Sequence, residues 1–339
     1  MRWIANKGWL YSLAIAARRD ARLAGEGDLV ERAGTRLARI LRDAPTATSN
    51  VRGILFMTAA CASFACGDTI MKLSSGTVPT SELLFLRGFC VTLGGFLIAW
   101  WLGALAALHR AFSRAMALRA GGDVSGAWCF QLALARIPYA DLTAVGQLIP
   151  LAITAASALF LGEKVGWRRW TATMIGLAGV LLIIRPGSSA FNWWMLAGIG
   201  SVLGATVRDL ATRYVDRGVP PPIIMMLSAG AVTLTSLCAA PFSDWHGPSP
   251  SLIAAMASAA IFSLVGQMCV IISVRSADIS AVAPFRYTII LFAIASGILV
   301  FGQFPDVMTL TGTAIVVAAG LYTFYREQSL RRLANRPRP

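Results

Sequence analysis

The sequence predicts an all-α membrane protein with ten transmembrane helices arranged as two inverted five-helix repeats. Three observations predict it. The 339 residues are 56% hydrophobic and only 14% charged, whereas a soluble domain carries about 25% charged residues. Such a chain has too little polar surface to cover itself in water. From Arg52 onward, apolar blocks recur at roughly the 20-residue length that a bilayer requires of a helix. The second half of the chain also restates polar and helix-breaking positions of the first half at a nearly constant offset.

Taken in order, residues 1–50 form an extension of different character. Seven arginines between Arg18 and Arg42 alternate with Asp20, Glu26, Asp28, Glu31 and Asp43. The apolar stretch Trp3–Ala17 is short and is interrupted by Asn6 and Lys7, so it reads as a cytoplasmic or interfacial segment. A cleaved signal peptide and an over-extended start are the alternatives. The spans follow at 53–73, 81–102, 119–137, 140–161 and 169–185 in a first repeat covering 51–186. A second repeat, 192–325, holds spans at 193–212, 222–241, 252–274, 279–302 and 307–325, before a basic cytoplasmic tail at 326–339. Gly121, Gly122 and Asp123 dilute the third span, and Arg208 and Asp209 end the sixth.

Charge sets the orientation, because cytoplasmic loops are enriched in Lys and Arg. With the N-terminus inside, 25 of the 30 Lys and Arg residues fall on the cytoplasmic side. Only Lys72, Arg136 and Arg185 sit at outer ends, while Arg87 and Arg286 lie within spans. An even number of spans then places both termini in the cytoplasm. The net charge of +14 does not mark a nucleic-acid-binding surface, since the basic residues are dispersed through tails and short loops rather than gathered on one face. Cys61, Cys66, Cys90, Cys129, Cys238 and Cys269 all fall in apolar segments without a C-x-x-C pair and read as small hydrophobes. With His109 and His246 the only histidines, metal ligands are scarce, and no metal or cofactor is expected.

The repeat is carried by specific residues. Asp68, Lys72 and Pro79 recur as Asp209, Arg213 and Pro220, each 141 positions later. The run from Ala140 to Val145 recurs as Ala277 to Val282 after 137 positions, Gly162-Glu163 as Gly302-Gln303 after 140, and Gly179 as Gly320 after 141. Five spans per copy is an odd number, so the second copy enters the membrane upside down. Inverted repeats around a midplane site are a common plan for carriers.

These residues resemble the drug/metabolite transporter superfamily in its EamA-type branch, over residues 51–325. The resemblance rests on Gly67-Asp68 with Lys72, on Pro79, Arg87 and Pro150, and on the run Ala158-Leu159-Phe160-Leu161-Gly162-Glu163 followed by Gly176 and Gly179. Phe301-Gly302-Gln303-Phe304-Pro305 and Gly312 to Gly320 are its counterpart. Gln303 stands where such proteins often carry Glu, which argues against any role needing two symmetric carboxylates. The resemblance implies ten helices, cytoplasmic termini and a central cavity. Substrates across the family include amino acids, nucleotide-related metabolites, sugars, vitamins and drugs. The patterns Gly67-Asp68…Lys72 and Pro284-Phe285-Arg286-Tyr287 are similar to members assigned to riboflavin or S-adenosylmethionine uptake.

Charges inside a membrane are costly and mark candidate sites. Arg286 lies about 10 Å into the ninth span at 1.5 Å per residue. It reads either as the cation that meets an anionic substrate group, with Tyr287 beside it, or as the partner of a carboxylate such as Asp209, or as a head snorkelling to the interface. Arg87 and Asp68 lie at similar depth and read as a structural pair or an outer gate; the repeat equivalent of Arg87 is Ser228. Asp68 and Asp209 occupy equivalent positions and suit proton coupling, helix-end capping or loop pairing. Gln131, Gln147 and Gln267 can bind a ligand or join helices. Glu163, beside Lys164, reads as a loop pair or a cap.

The expected function is therefore secondary transport of a small polar metabolite of the amino acid, vitamin or nucleoside type, by alternating access through a central cavity in a bacterial inner membrane. The working form is a monomer or a homodimer. No phosphate-binding G-x-x-x-x-G-K-[ST], H-E-x-x-H or G-x-S-x-G motif occurs, so neither ATP hydrolysis nor enzyme catalysis is expected. A non-transporting receptor or scaffold and an intramembrane enzyme are the alternatives.

Overall fold

The computed structural model describes residues 47–160, 167–186, 192–216, 218–245, 247–277 and 282–334. The bulk of the N-terminal extension, Glu163 with Lys164, and His246 lie outside them. Described elements are helical: α1 Ala47–Ser74, α2 Thr80–Trp101, α3 Arg114–Leu134, α4 Tyr139–Gly146, α5 Ile149–Phe160 and α6 Trp167–Ile184. The second half continues with α7 Trp194–Thr212, α8 Pro221–Cys238, α9 Pro250–Ser276, α10 Thr288–Phe301 and α11 Val307–Ala334. Among the described residues, seven segments are long and apolar enough to cross a membrane. They are Asn50–Ser74, Thr80–Trp101, Tyr139–Phe160, Pro221–Cys238, Pro250–Val274, Pro284–Phe301 and Val307–Arg326. Trp170–Ile184 is a shorter apolar helix. The chain is thus an all-helical, multi-pass membrane protein.

Local chemistry sets where helices start and stop. Pro79 and Pro220 precede α2 and α8 in extended conformation, and a proline there removes a donor that helix geometry leaves idle. Ser113 accepts from the Met116 amide at 3.2 Å and starts α3 five residues before the apolar block at 119. Ser249 caps α9 through the Leu252 amide, also at 3.2 Å. Gly302 closes α10 with φ of +62°, a left-handed conformation that glycine adopts without a Cβ penalty. The final helix runs on to Ala334, beyond the apolar block that ends at 325.

Side-chain contacts sort the connections into two ends of the bundle. At one end, Lys72 reaches the carbonyls of Leu134 and Ile137, Trp245 donates to Ser81, and Arg185 pairs with Asp306. At the other end, Gly53 meets Ala277, Arg110 lies against Gly218, and Arg119 donates to Thr212. We call these the first and second ends.

Helices of the first half pack chiefly on helices of the second. The pairings are α1 with α9, α3 with α7, α2 with α8 and α6 with α11. Exchanging the halves turns the first pair into the second and returns the last two to themselves. Among the lesser contacts, α10 packs on α1 as α4 and α5 pack on α7, and α4 touches α10. Small residues make the close crossings. A Cβ at Gly204 would stand 2.5 Å from the Gly126 amide nitrogen, one at Gly312 2.6 Å from the Gly179 carbonyl, and one at Gly53 2.3 Å from the Ala277 Cβ. Without a hydrophobic driving force in lipid, such backbone approach is what association relies on.

Candidate functional site

Among the described residues, each half departs from regular α-helix in its fourth segment. In the first, α4 stops at Gly146 and α5 starts at Ile149. Pro150 carries no N–H, so the Gly146 carbonyl loses its usual i+4 donor. The amides of Gln147 and Leu148 turn onto the carbonyls of Ala144 and Val145 at 3.1 and 3.0 Å. In the second half, Ala283–Tyr287 forms a 3-10 turn ahead of α10, with Pro284 in its first turn. The 137-residue offset aligns Gln147 with Pro284. Irregular backbone at membrane depth persists only where protein or water surrounds it.

The break after α4 and the 3-10 turn before α10 both sit at mid-length of their neighbours. The Cys61 thiol, in the middle of α1, faces the carbonyls of Phe285 and Arg286 at 3.7 and 3.5 Å. The Tyr287 hydroxyl lies so close to Gly320 of α11 that a Cβ there would come within 1.9 Å of it. Leu151, just past the first interruption, packs on Gly176 in the middle of α6. Arg286 is exposed, and its guanidinium makes no hydrogen bond or ion pair among the described residues. Asp209, one of its expected partners, is engaged by Arg208 at 2.8 Å instead.

The polar residues singled out from the sequence do not form one cluster. Gln131 is 1% exposed and donates to Ser75 at 2.9 Å, joining α3 to the turn that follows α1 at the first end. Gln147 is half-buried at the interruption and donates to the Thr143 carbonyl at 3.2 Å. Gln267 is exposed on α9. Arg87 donates to Ser263 at 2.8 Å rather than to Asp68, although the Asp68 carboxylate feels its charge. The direct partner of Asp68 is the Tyr139 hydroxyl at 3.2 Å.

Charged residues to which the sequence reading gave no site role converge near the second end. Asp123 lies 3.5 Å from Arg119 and 3.5 Å from Arg208. Arg119 also donates to Thr212 at 3.0 Å and, through Nη1, to Ser228. Glu82, in the first turn of α2, is 1% exposed and neither carboxylate oxygen has a partner among the described residues. At the rim of the first end, Arg185 pairs with Asp306, whose other oxygen accepts from the Thr309 amide at 2.8 Å. The Arg185 guanidinium is the main cause that holds the Asp306 carboxyl down at about 2. Arg185 adopts a left-handed φ of +51°.

Comparisons with known proteins give one family. A family model described as the EamA-like transporter family matches residues 51–185 and again 192–325. An S-adenosylmethionine uptake transporter of Rickettsia bellii is 26% identical over 204 residues, covering 59% of this chain and 68% of its own. The pseudopaline exporter CntI of Pseudomonas aeruginosa is 26% identical over 272 residues, covering 79% and 94%. A riboflavin transporter of Vibrio cholerae is 28% identical over 211 residues, covering 61% and 70%. One crystal structure shares the fold with a TM-score of 0.56 at 18% identity, over 82% of this chain and 98% of the other.

Proposed function

Since the chain belongs to the EamA-like transporter family, within the drug/metabolite transporter superfamily, we propose that it is a secondary carrier of a small polar metabolite in a bacterial inner membrane. Ten spans form two inverted repeats, residues 51–186 and 192–325, and both termini face the cytoplasm. The carrier works by alternating access: substrate rests between the halves near mid-membrane and leaves on the opposite side. Arg286 meets an anionic group of the substrate with Tyr287 beside it, Gln147 and Gln267 are further substrate contacts, and Gln131 supports the adjacent helices. Asp68, Arg87 and Asp209 belong to the gates, and the two aspartates are the carboxylates available for proton coupling. The relatives carry cargo as different as S-adenosylmethionine, pseudopaline and riboflavin, so the shared element is a polar small molecule rather than one scaffold.

The observation that carries this reading is the break between α4 and α5 in the first half and the 3-10 turn that opens α10 in the second, at matched sequence positions and at mid-length of the neighbouring helices. Broken helices of that kind hold the binding sites of inverted-repeat carriers. In proteoliposomes loaded with a gradient of S-adenosylmethionine or riboflavin, the wild type should move at least one of the two. Arg286→Ala should lose flux by tenfold or more while keeping its melting temperature within a few degrees. Flux undiminished in that variant removes Arg286 from the site. A wild type that binds either compound without moving it removes the carrier reading.

A further inference from the structure

Two arginine–serine hydrogen bonds at opposite ends are related by exchange of the halves, with donor and acceptor interchanged. Near the first end, Arg87 of α2 donates to Ser263 of α9 at 2.8 Å. Nearer the second end, Arg119 of α3 donates to Ser228 of α8. Position 228 is the repeat equivalent of 87, and α8 is the counterpart of α2, as α3 is of α9. The same pair of helices is therefore tied in both halves, although α2 carries arginine where α8 carries serine. The registers on the partner helices are not equivalent. Arg119 lies about one turn into α3, whereas Ser263 lies more than three turns into α9. The helix pair is reproduced, not the exact level of the bond.

Each bond has a carboxylate at the matching repeat position. Arg87 acts on the Asp68 carboxylate, and Arg119 lies in the field of Asp123 first and of Asp209 after it. Ser263 and Ser228 are 9% and 3% exposed, so water does not replace the serine oxygen when either bond opens in place. A guanidinium in lipid retains such a partner until the helices separate. Separation is what each end must undergo if access alternates.

We propose that Arg87–Ser263 and Arg119–Ser228 are reciprocal latches, the first holding the first end shut and the second holding the second end shut. The proposal rests on the carrier reading and adds to it the residues that set which end opens. Beside the second latch, Arg119 also pairs with Asp123 one turn along α3, and Asp123 in turn holds Arg208 of α7.

Hydrogen–deuterium exchange on the full chain in lipid nanodiscs tests it. The readout is exchange in the connections 75–79 and 243–249 at the first end against 102–113 and 213–220 at the second. Ser263→Ala should raise exchange at the first end and lower it at the second, with a shift of about tenfold in the ratio. Ser228→Ala should do the opposite. Ser263→Thr and Ser228→Thr, which keep the hydroxyl, should retain the wild-type ratio. If an alanine variant does not fold, Arg87→Lys or Arg119→Lys supplies the same reading at that end. Equal increases at both ends, or no change in either variant, overturn the latches. Flux of the wild type is scored separately: its absence overturns the carrier reading, and flux combined with unshifted exchange overturns the latches alone.

Discussion

Arg87 and Asp68 were visible in the sequence because charge inside an apolar run is conspicuous. Their partners were not, since Ser263 lies 176 positions from Arg87 and Tyr139 lies 71 positions from Asp68. Arg119 sat at the edge of a predicted span and counted there as a loop charge. Asp123 appeared only as a residue that weakened the third span. Glu82 gave no signal, because an acidic residue in a helix's first turn is ordinary on grounds of the macrodipole; its full burial is a property of packing alone. At this scale the rim pair makes a pH prediction. Asp306 is held at about 2 in the folded protein, against about 3.9 for a free aspartate. A depressed carboxylate contributes stability above the unfolded value and loses it as pH falls toward the folded one. Asp306→Asn should therefore melt below the wild type at pH 7 and at pH 5, with the gap closing between about pH 4 and pH 2. A gap that closes already between pH 7 and pH 5 excludes Asp306 as its source. The Arg185 partner is exposed enough for solvent screening to keep the effect small.

Helices were legible where apolar blocks were long, and Pro150 and Pro284 were visible within two of them. Their effect was not. The fourth segment is read from composition as one span, but the missing donor at Pro150 divides it into α4 and α5. The third helix begins earlier than its apolar block because capping chemistry at Ser113, not hydropathy, sets its start. Glycines were legible as permission for close packing, while the partner of each depended on the crossing. The α3–α7 crossing gives a direct test. A Cβ on Gly204 would meet the backbone at Gly126 and Gly122 at 2.5–2.8 Å, and backbone cannot move aside as a side chain can. Gly204→Ala should destabilise the protein by about 1–3 kcal/mol, the usual cost of overpacking. Gly146→Ala, with nothing within 4 Å of its Cβ, should cost less. Equal melting temperatures for the two variants in detergent would show that α3 and α7 are not in backbone contact.

At the scale of the molecule, the duplication was readable from matched Asp, Pro and Gly positions, because those residue types are constrained by backbone and charge rather than by composition. Reciprocal packing was not readable, since contacts between halves leave no periodic trace in either one. The two-ended arrangement predicts sidedness. Trp245 donates to Ser81 at 2.8 Å, so Thr77 and Asp244 should share one membrane face. Thr77→Cys and Asp244→Cys, each in a chain with its six native cysteines replaced, should react with an impermeant maleimide from the same side of intact vesicles. Labelling from opposite sides would dismantle the ten-span layout. The interleaving of the halves also has a consequence for biogenesis. Gly53 of α1 meets Ala277, and the chain between them takes on the order of ten seconds or more to synthesise at about 5–20 residues per second. During that interval α1 is already in the bilayer with its small-residue face open to lipid, and a polypeptide released before α9 emerges is a ready target for membrane quality-control proteases.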